Sequence, residues 1–311
     1  MTALAVPGAS AAGRVGHRRR VRNVAWWGLC GLGLSLVAGA VFWVVGAAIA
    51  NAVPGWRWSV LTETTTGIGG GLANTIAGTA VLMVGVGIMA GLVGIGTGLY
   101  LAELAPPSRV VSLLRSASEV LSGVPSIVFG YAGYVALCVG LHWGFSLLAA
   151  LIVLSVLVVP YVAKSTEIAL NQVPLAYREG GEALGMAPTY QLRTIVMRSA
   201  APGIVTGVLV ALAISVGETA PLLYTAGFSN SYPSAHLTGV PVPYLTYATF
   251  TFWDQPTTTL HALAFDSAVL LIALVLLLVG AARLIVRLTQ RHAPGDHHGL
   301  ARHRRRAPTL R

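Results

Sequence analysis

Long apolar runs, each closed by a short polar or proline- and glycine-bearing stretch, predict six helices long enough to cross a bilayer: residues 24–50, 73–101, 113–141, 145–168, 204–226 and 260–286. The pattern is not uniform within them. Pro125 falls inside the third run and Pro221 inside the fifth, where a missing N–H and a ring clash break or kink a helix. The first run follows a basic stretch, as a secretory signal would. It is about twice as long as a signal's apolar core and lacks a small-residue cleavage site in a polar flank, so it reads as an anchored helix.

Composition agrees with lipid as the main solvent. Hydrophobic residues make up 55% of the 311-residue chain and charged residues 10%, against about a quarter charged in a soluble domain. At about 20 residues per span, no room remains for a large soluble domain. The 36 glycines fit this class, because membrane helices bring their backbones close through small residues. Cys30 and Cys138 both lie in apolar stretches and imply no disulfide framework. The fold class expected is therefore an all-α integral membrane protein of six helices. It divides into a basic tail (1–23), a first helix (24–50), a five-helix domain (71–287) and a second basic tail (288–311).

Charge then orients the chain. With both termini cytoplasmic, 19 of the 20 basic residues fall on that side and only Arg57 lies outside, as the positive-inside rule requires. The net charge of +10 is accounted for by topology signals such as His17 to Arg22 and Arg302 to Arg306 touching anionic lipid headgroups, and nucleic acid is not implied. His292, His297, His298 and His303 share the last tail. Nothing holds them in a fixed geometry, so no metal site is expected.

The longest cytoplasmic loop, 171–201, is too polar to span and too helix-prone around 175–184 to be a plain linker, which predicts a short helix along the membrane face. The chain carries no GxxxxGK[ST] phosphate loop, so any ATP-driven stroke comes from a partner, and such a helix is the part that could receive it. Here the residues resemble a family pattern. Permeases of the import-type ABC superfamily carry in this loop E-A-A, three residues, G, nine residues, then I-x-L-P. This chain has Glu179, Gly185 six residues on and Ile195 after nine more, with Gly180 and Gly181 for the alanines, Met197 for the leucine and Arg198 for the proline. A close fit of this helix in a cleft of the ATPase would leave no room for a side chain at Gly185.

Two further segments, LSGVPSIVFG (121–130) and VGETAPLLYTAG (216–227), are similar to the permease subunits of the bacterial phosphate importer. The second, with LANTIAGTA (72–80), is closer to the PstA-type subunit family. The resemblance covers about 71–287. It implies a MetI-like permease fold and inward transport of inorganic phosphate, with another oxyanion (sulfate, molybdate or phosphonate) as the alternative. The partners implied are a PstC-like sister permease, a PstB-like dimer that binds ATP and Mg, and a PstS-like extracytoplasmic phosphate-binding protein. This chain would bind no cofactor and catalyse nothing itself. One departure matters: many members carry an arginine shortly before the Gly-Glu of the fifth span, whereas Ala213, Ile214, Ser215 and Val216 are uncharged here.

The residues carry their own reading beside the resemblance. Ser122, Gly123, Pro125 and Ser126 either open a half-helix N-terminus toward a water-filled path or form a packing kink with the serines bonded back to the preceding turn. Glu218, followed by Thr219 and Pro221, is costly among apolar residues unless it faces a cavity or a cation, and repulsion of phosphate favours pairing or gating over substrate binding. Asp266, near the outer end of the last span, could snorkel or cap. Gly87 with Gly91, and Gly94 with Gly98, have the spacing of close helix contact. External aromatics Tyr232, Tyr244, Tyr247, Phe250, Phe252 and Trp253 read as interfacial anchors and, in part, as a docking surface. A membrane-embedded enzyme would need more than Glu218 and Asp266 at one depth, and an ion-coupled carrier would show an internal repeat or several intramembrane charges.

Overall fold

The computed structural model describes residues 9–106 and 108–290, with side chains described from residue 19 onward except 21 and 290. The histidine cluster and most of the basic tails lie outside the described residues. Among the described residues the chain is helical apart from one two-stranded antiparallel ribbon, β1 (Thr65–Thr66) and β2 (Gly69–Gly70). In order the helices are α1 (Ala9–Ala52), α2 (Ser59–Thr62), α3 (Ala73–Leu99), α4 (Arg109–Gly123), α5 (Ser126–Gly133), α6 (Leu147–Asn171), α7 (Leu175–Ala183), α8 (Pro188–Gln191), α9 (Met197–Gly217), α10 (Ala220–Thr225), α11 (Leu245–Thr251) and α12 (Thr258–Gln290). Two compact units result, Met1–Trp56, which contains α1, and Arg57–Arg311, which contains the rest.

Among the described residues, five helical stretches are long and apolar enough to cross a membrane: Arg22–Gly55, Ala73–Leu104, Leu147–Asn171, Pro188–Gly217 and Thr258–Thr289. The third expected span is not one straight helix. Arg109–Gly123 and Ser126–Gly140 meet at 98° across Val124 and Pro125, because proline cannot continue the ladder and its predecessor is pushed into extended geometry. The fifth expected span also shifts. Its helix runs on from Pro188 through a π-helical stretch, Leu192–Val196, ends at Gly217 and resumes as α10, so the second half of the predicted loop belongs to the span.

Helix α6 is the centre of the second unit. Its Leu147, Leu151, Leu154, Val158 and Val162 form one buried cluster with Leu82, Val86 and Ala90 of α3, Ala211 of α9 and Leu222 of α10. Close approach along α3 depends on Gly94 and Gly98. A Cβ at either would stand 2.6 Å from the Val162 side chain or 2.5 Å from the Ala163 carbonyl. Gly85 extends this seam against Leu151, whereas Gly87 meets Leu212 at an ordinary 3.5 Å and Gly91 meets nothing within 4 Å, so only the second predicted glycine pair is a helix contact. Outside this core, the external aromatics divide. Tyr244 and Phe252 are buried and Phe228 stacks on Tyr247 at 4.1 Å, because the segment folds back on α12; Tyr232, Phe250 and Trp253 stay exposed. Two of the six predicted anchors are therefore core residues, and a third, Tyr247, packs half-buried against the core.

Candidate translocation path and coupling surface

The predicted surface helix is present as α7. Ala176, Glu179, Glu182 and Ala183 favour it, and Gly180 and Gly181 each oppose it by about 1 kcal/mol. Gly185 ends it in a Schellman motif: its N–H donates to the Glu182 carbonyl (2.9 Å) and that of Met186 to the Gly181 carbonyl (3.1 Å). Its φ is +70°, a conformation that costs other residues roughly 1–2 kcal/mol. A Cβ there would meet nothing within 4 Å in this chain, so within the chain it is the left-handed backbone that favours glycine. Room decides at Gly181 instead, where a Cβ would lie 2.5 Å from the Gln191 amide; at Gly180 the space is open. Glu179 is exposed, and Ile195, half-buried, sits in the π-helical stretch that begins the next span.

Sequence reasoning missed what fixes α7 to the membrane helices. The guanidinium of Arg178 donates to both carboxylate oxygens of Glu103 (2.6 and 2.7 Å), at the π-helical end of α3, and to the Leu170 carbonyl of α6 (3.3 Å). The hydrogen bond to Glu103 raises the guanidinium's already high pKa, burial works the other way, and the nearby carboxylate charge adds to the rise. Gln191 closes the arrangement by donating to the Arg178 carbonyl. A second tie lies beside it. Arg115 of α4 bonds Glu167 of α6 (2.9 Å) and donates to the Leu101 carbonyl (3.2 Å), with Lys164 at 3.7 Å from the same carboxylate. These groups line a cleft of about 100 Å³ with Ser118, Glu119 and Ser122. Glu167 is 7% exposed inside α6, and Glu119 lies in α4, so Glu218 and Asp266 are not the only acids within the predicted spans. Glu167 was legible as a carboxylate one residue from the end of an apolar run.

The two breaks place the remaining candidates. Pro125 stands before α5, Ser126 opens it half-buried, Gly123 ends α4 with open space at its Cα, and Ser122 donates back to the Ser118 carbonyl (2.8 Å). Glu218 and Thr219 are both half-buried between α9 and α10. The Glu218 carbonyl accepts from the Thr246 hydroxyl (3.1 Å), and its carboxylate makes no ion pair among the described residues. The half-helices that follow the breaks, α5 and α10, pack on one another. A Cβ at Gly130 would stand 2.7 Å from the Pro221 Cα, and the Tyr131 and Tyr224 rings meet edge-on at 6.1 Å. Asp266 is 1% exposed, nine residues into α12, and therefore neither snorkels nor caps the helix.

Comparison with known proteins agrees with this geometry. A family described as binding-protein-dependent transport system inner membrane component matches residues 94–292. The chain is 52% identical over 89% of its length, and 92% of the relative's, to phosphate transport system permease protein PstA 2 of Mycobacterium tuberculosis. It is 35% identical over 79% of its length, and 83% of the relative's, to phosphate transport system permease protein PstA of Yersinia pestis. Among solved structures, an inward-facing form of the MetNI methionine ABC transporter superposes with a TM-score of 0.56 at 22% identity, over 70% of this chain and 95% of that one, which shows a common permease fold. The chain is thus a multi-pass membrane protein that belongs to the inner membrane component family of binding-protein-dependent transport systems, as a permease of the PstA type.

Proposed function

We propose that this chain is the subunit through which an ATP-driven importer passes inorganic phosphate into the cell. Its kinship with PstA permeases supports phosphate as the substrate over sulfate, molybdate or phosphonate. The observation that carries the mechanism is α7, a short helix ending at a left-handed Gly185 and bonded through Arg178 to α3 and α6. In this reading α7 seats on an ATP-binding partner, with Glu179, Gly180, Gly181, Gly185 and Ile195 shaping the contact. That PstB-like dimer holds ATP and Mg, and this chain hydrolyses nothing. A PstC-like sister completes the path, and a PstS-like protein delivers phosphate outside. Closure of the ATPase opens the path outward and hydrolysis resets it. The breaks carrying Ser122, Gly123, Pro125 and Ser126, and Glu218 with Thr219, face that path. Both termini are cytoplasmic, in keeping with 19 of the 20 basic residues lying on one side.

The test is reconstitution of the four components in proteoliposomes, with ATP-dependent uptake of radiolabelled phosphate as readout. Phosphate is expected to compete and sulfate, molybdate and phosphonate are not. No uptake of labelled phosphate, with ATP-dependent uptake of labelled sulfate, molybdate or phosphonate in the same vesicles, would assign another oxyanion. Impermeant labelling of a cysteine placed at Trp143 from outside, and of one at Tyr190 only after the bilayer is breached, checks the orientation in the same preparation.

A further inference from the structure

Between α7 and the membrane helices, the described residues contain one ion pair, Arg178 with Glu103, 75 positions apart in sequence. Its geometry is more demanding than charge attraction alone. The two terminal guanidinium nitrogens each donate to one carboxylate oxygen, at 2.6 and 2.7 Å, and a planar fork of this kind resists sliding and rotation where a single ammonium would swivel. The side chains are 27% and 11% exposed, so salt screens them less than a surface pair.

Each partner is held from behind as well. Arg178 reaches the Leu170 carbonyl at the end of α6, and its own carbonyl is held by Gln191, which Gly181 lets approach. Glu103 lies in the π-helical stretch Tyr100–Leu104, where α3 departs from regular geometry just at the pair. The rest of α7 is differently furnished: Leu175 and Tyr177, with Leu184 just past its end, are exposed apolar side chains. The helix therefore has a side bonded to the bundle and apolar groups left open to a partner.

We propose that the Glu103–Arg178 pair is the rigid link that passes displacement of α7 into α3, so that α7 and the cytoplasmic end of α3 move as one body through the transport cycle. This rests on α7 being the element that receives the ATPase stroke. Arg178 and Glu103 are positioning residues, their charged groups committed to one another. A link of this kind sets how many phosphates cross per ATP, not how fast ATP is hydrolysed.

The experiment measures phosphate transported per ATP in the reconstituted complex. Glu103→Gln and Arg178→Gln are expected to lower that ratio about tenfold while ATP turnover continues. The exchanged double variant, Glu103→Arg with Arg178→Glu, recovers most of it, and Arg178→Lys recovers less because it lacks the fork. Wild-type ratios in both single variants, or an exchange no better than the singles, overturn the proposal. Should the single variants fail to assemble, cysteines at both positions, in a background without Cys30 and Cys138, are joined by a short bifunctional reagent. The bridged complex is expected to transport at the wild-type ratio. A bridged complex that hydrolyses ATP without transport means the two elements must part, and the proposal falls. Glu179→Lys run in parallel separates the two readings. If it uncouples and Glu103→Gln does not, only the link is wrong; if neither uncouples, α7 is not the receiver.

Discussion

The chain breaks two apolar helices with the same ingredients, a glycine, a hydroxyl residue and a proline, and the outcomes differ. At Gly123–Pro125 the surroundings are open: Ser122, Gly123 and Pro125 are exposed and the helices turn through 98°. At Gly217–Pro221 the flanks are closed. Val216, Pro221 and Leu222 are buried, the Ser215 hydroxyl is bonded to the Leu212 carbonyl (2.9 Å), and Thr246 reaches across from α11 to the Glu218 carbonyl. Proline decides where a helix ends, but the neighbours decide what the ending does. The first break is a corner, and the second is a fixed interruption inside a packed bundle with one carboxylate left over.

The sharpest way to break this comparison is at the contact that joins the two half-helices. A Cβ at Gly130 would lie 2.7 Å from backbone of Pro221, which cannot swing aside as a side chain would. Adding methylenes to a filled site costs about 1–3 kcal/mol when neighbours adjust, and Gly130→Leu asks them to adjust around backbone. Uptake is expected to be abolished and the melting temperature of the purified complex to fall by several degrees, with Gly130→Ala intermediate. Unchanged melting and uptake in the leucine variant would mean that α5 and α10 do not touch in the working protein.

Glu218 probes the closed break alone. Its carboxylate is half-buried and has no ionic partner among the described residues, while its backbone is satisfied by Thr246 and Ser215. A charge so placed finds a cation or costs several kcal/mol, and we propose an arginine of the sister permease as that cation. Glu218→Gln keeps the shape and removes the charge. The expected complex assembles, hydrolyses ATP and binds its delivery protein with unchanged affinity, but transports about tenfold less phosphate. Transport at the wild-type rate would make Glu218 a structural cap and end its role in gating.

Much of this architecture was legible from the sequence, for reasons that also explain what was not. Apolar runs and prolines are local signals, so the spans, both breaks and α7 could be read directly. The Glu103–Arg178 pair could not, because which helix ends meet is decided by packing along α3 and α6. The same limit appears at the glycines: Gly85 and Gly87 look alike in sequence, yet only the first lies against Leu151. Tyr244 and Tyr232 likewise share one aromatic-rich segment, and only the fold shows that one is buried and the other exposed. Even the motif's departures divide this way. Gly181 is explained by Gln191 within this chain, whereas Gly180 meets open space and nothing in this chain explains it.

The smallest expected effect belongs to the open break, at Ser122. The residue lines the cleft with Arg115 and Glu167, which would suit a hydroxyl on an anion's route. Its proton, however, is committed to the Ser118 carbonyl four residues back (2.8 Å), the back-bonding arrangement that bends helices without serving a ligand. The guanidinium of Arg115 is likewise committed, to Glu167 and the Leu101 carbonyl. Removing an exposed hydroxyl held in this way changes stability by no more than about 0.5 kcal/mol, too little to alter the amount of folded complex. Ser122→Ala should therefore transport nearly as the wild type, alongside the tenfold deficit of Glu218→Gln in the same membranes. A comparable deficit in Ser122→Ala, with normal assembly and ATP turnover, would mean that the hydroxyl contacts phosphate as it passes and that the corner at Pro125 handles the anion.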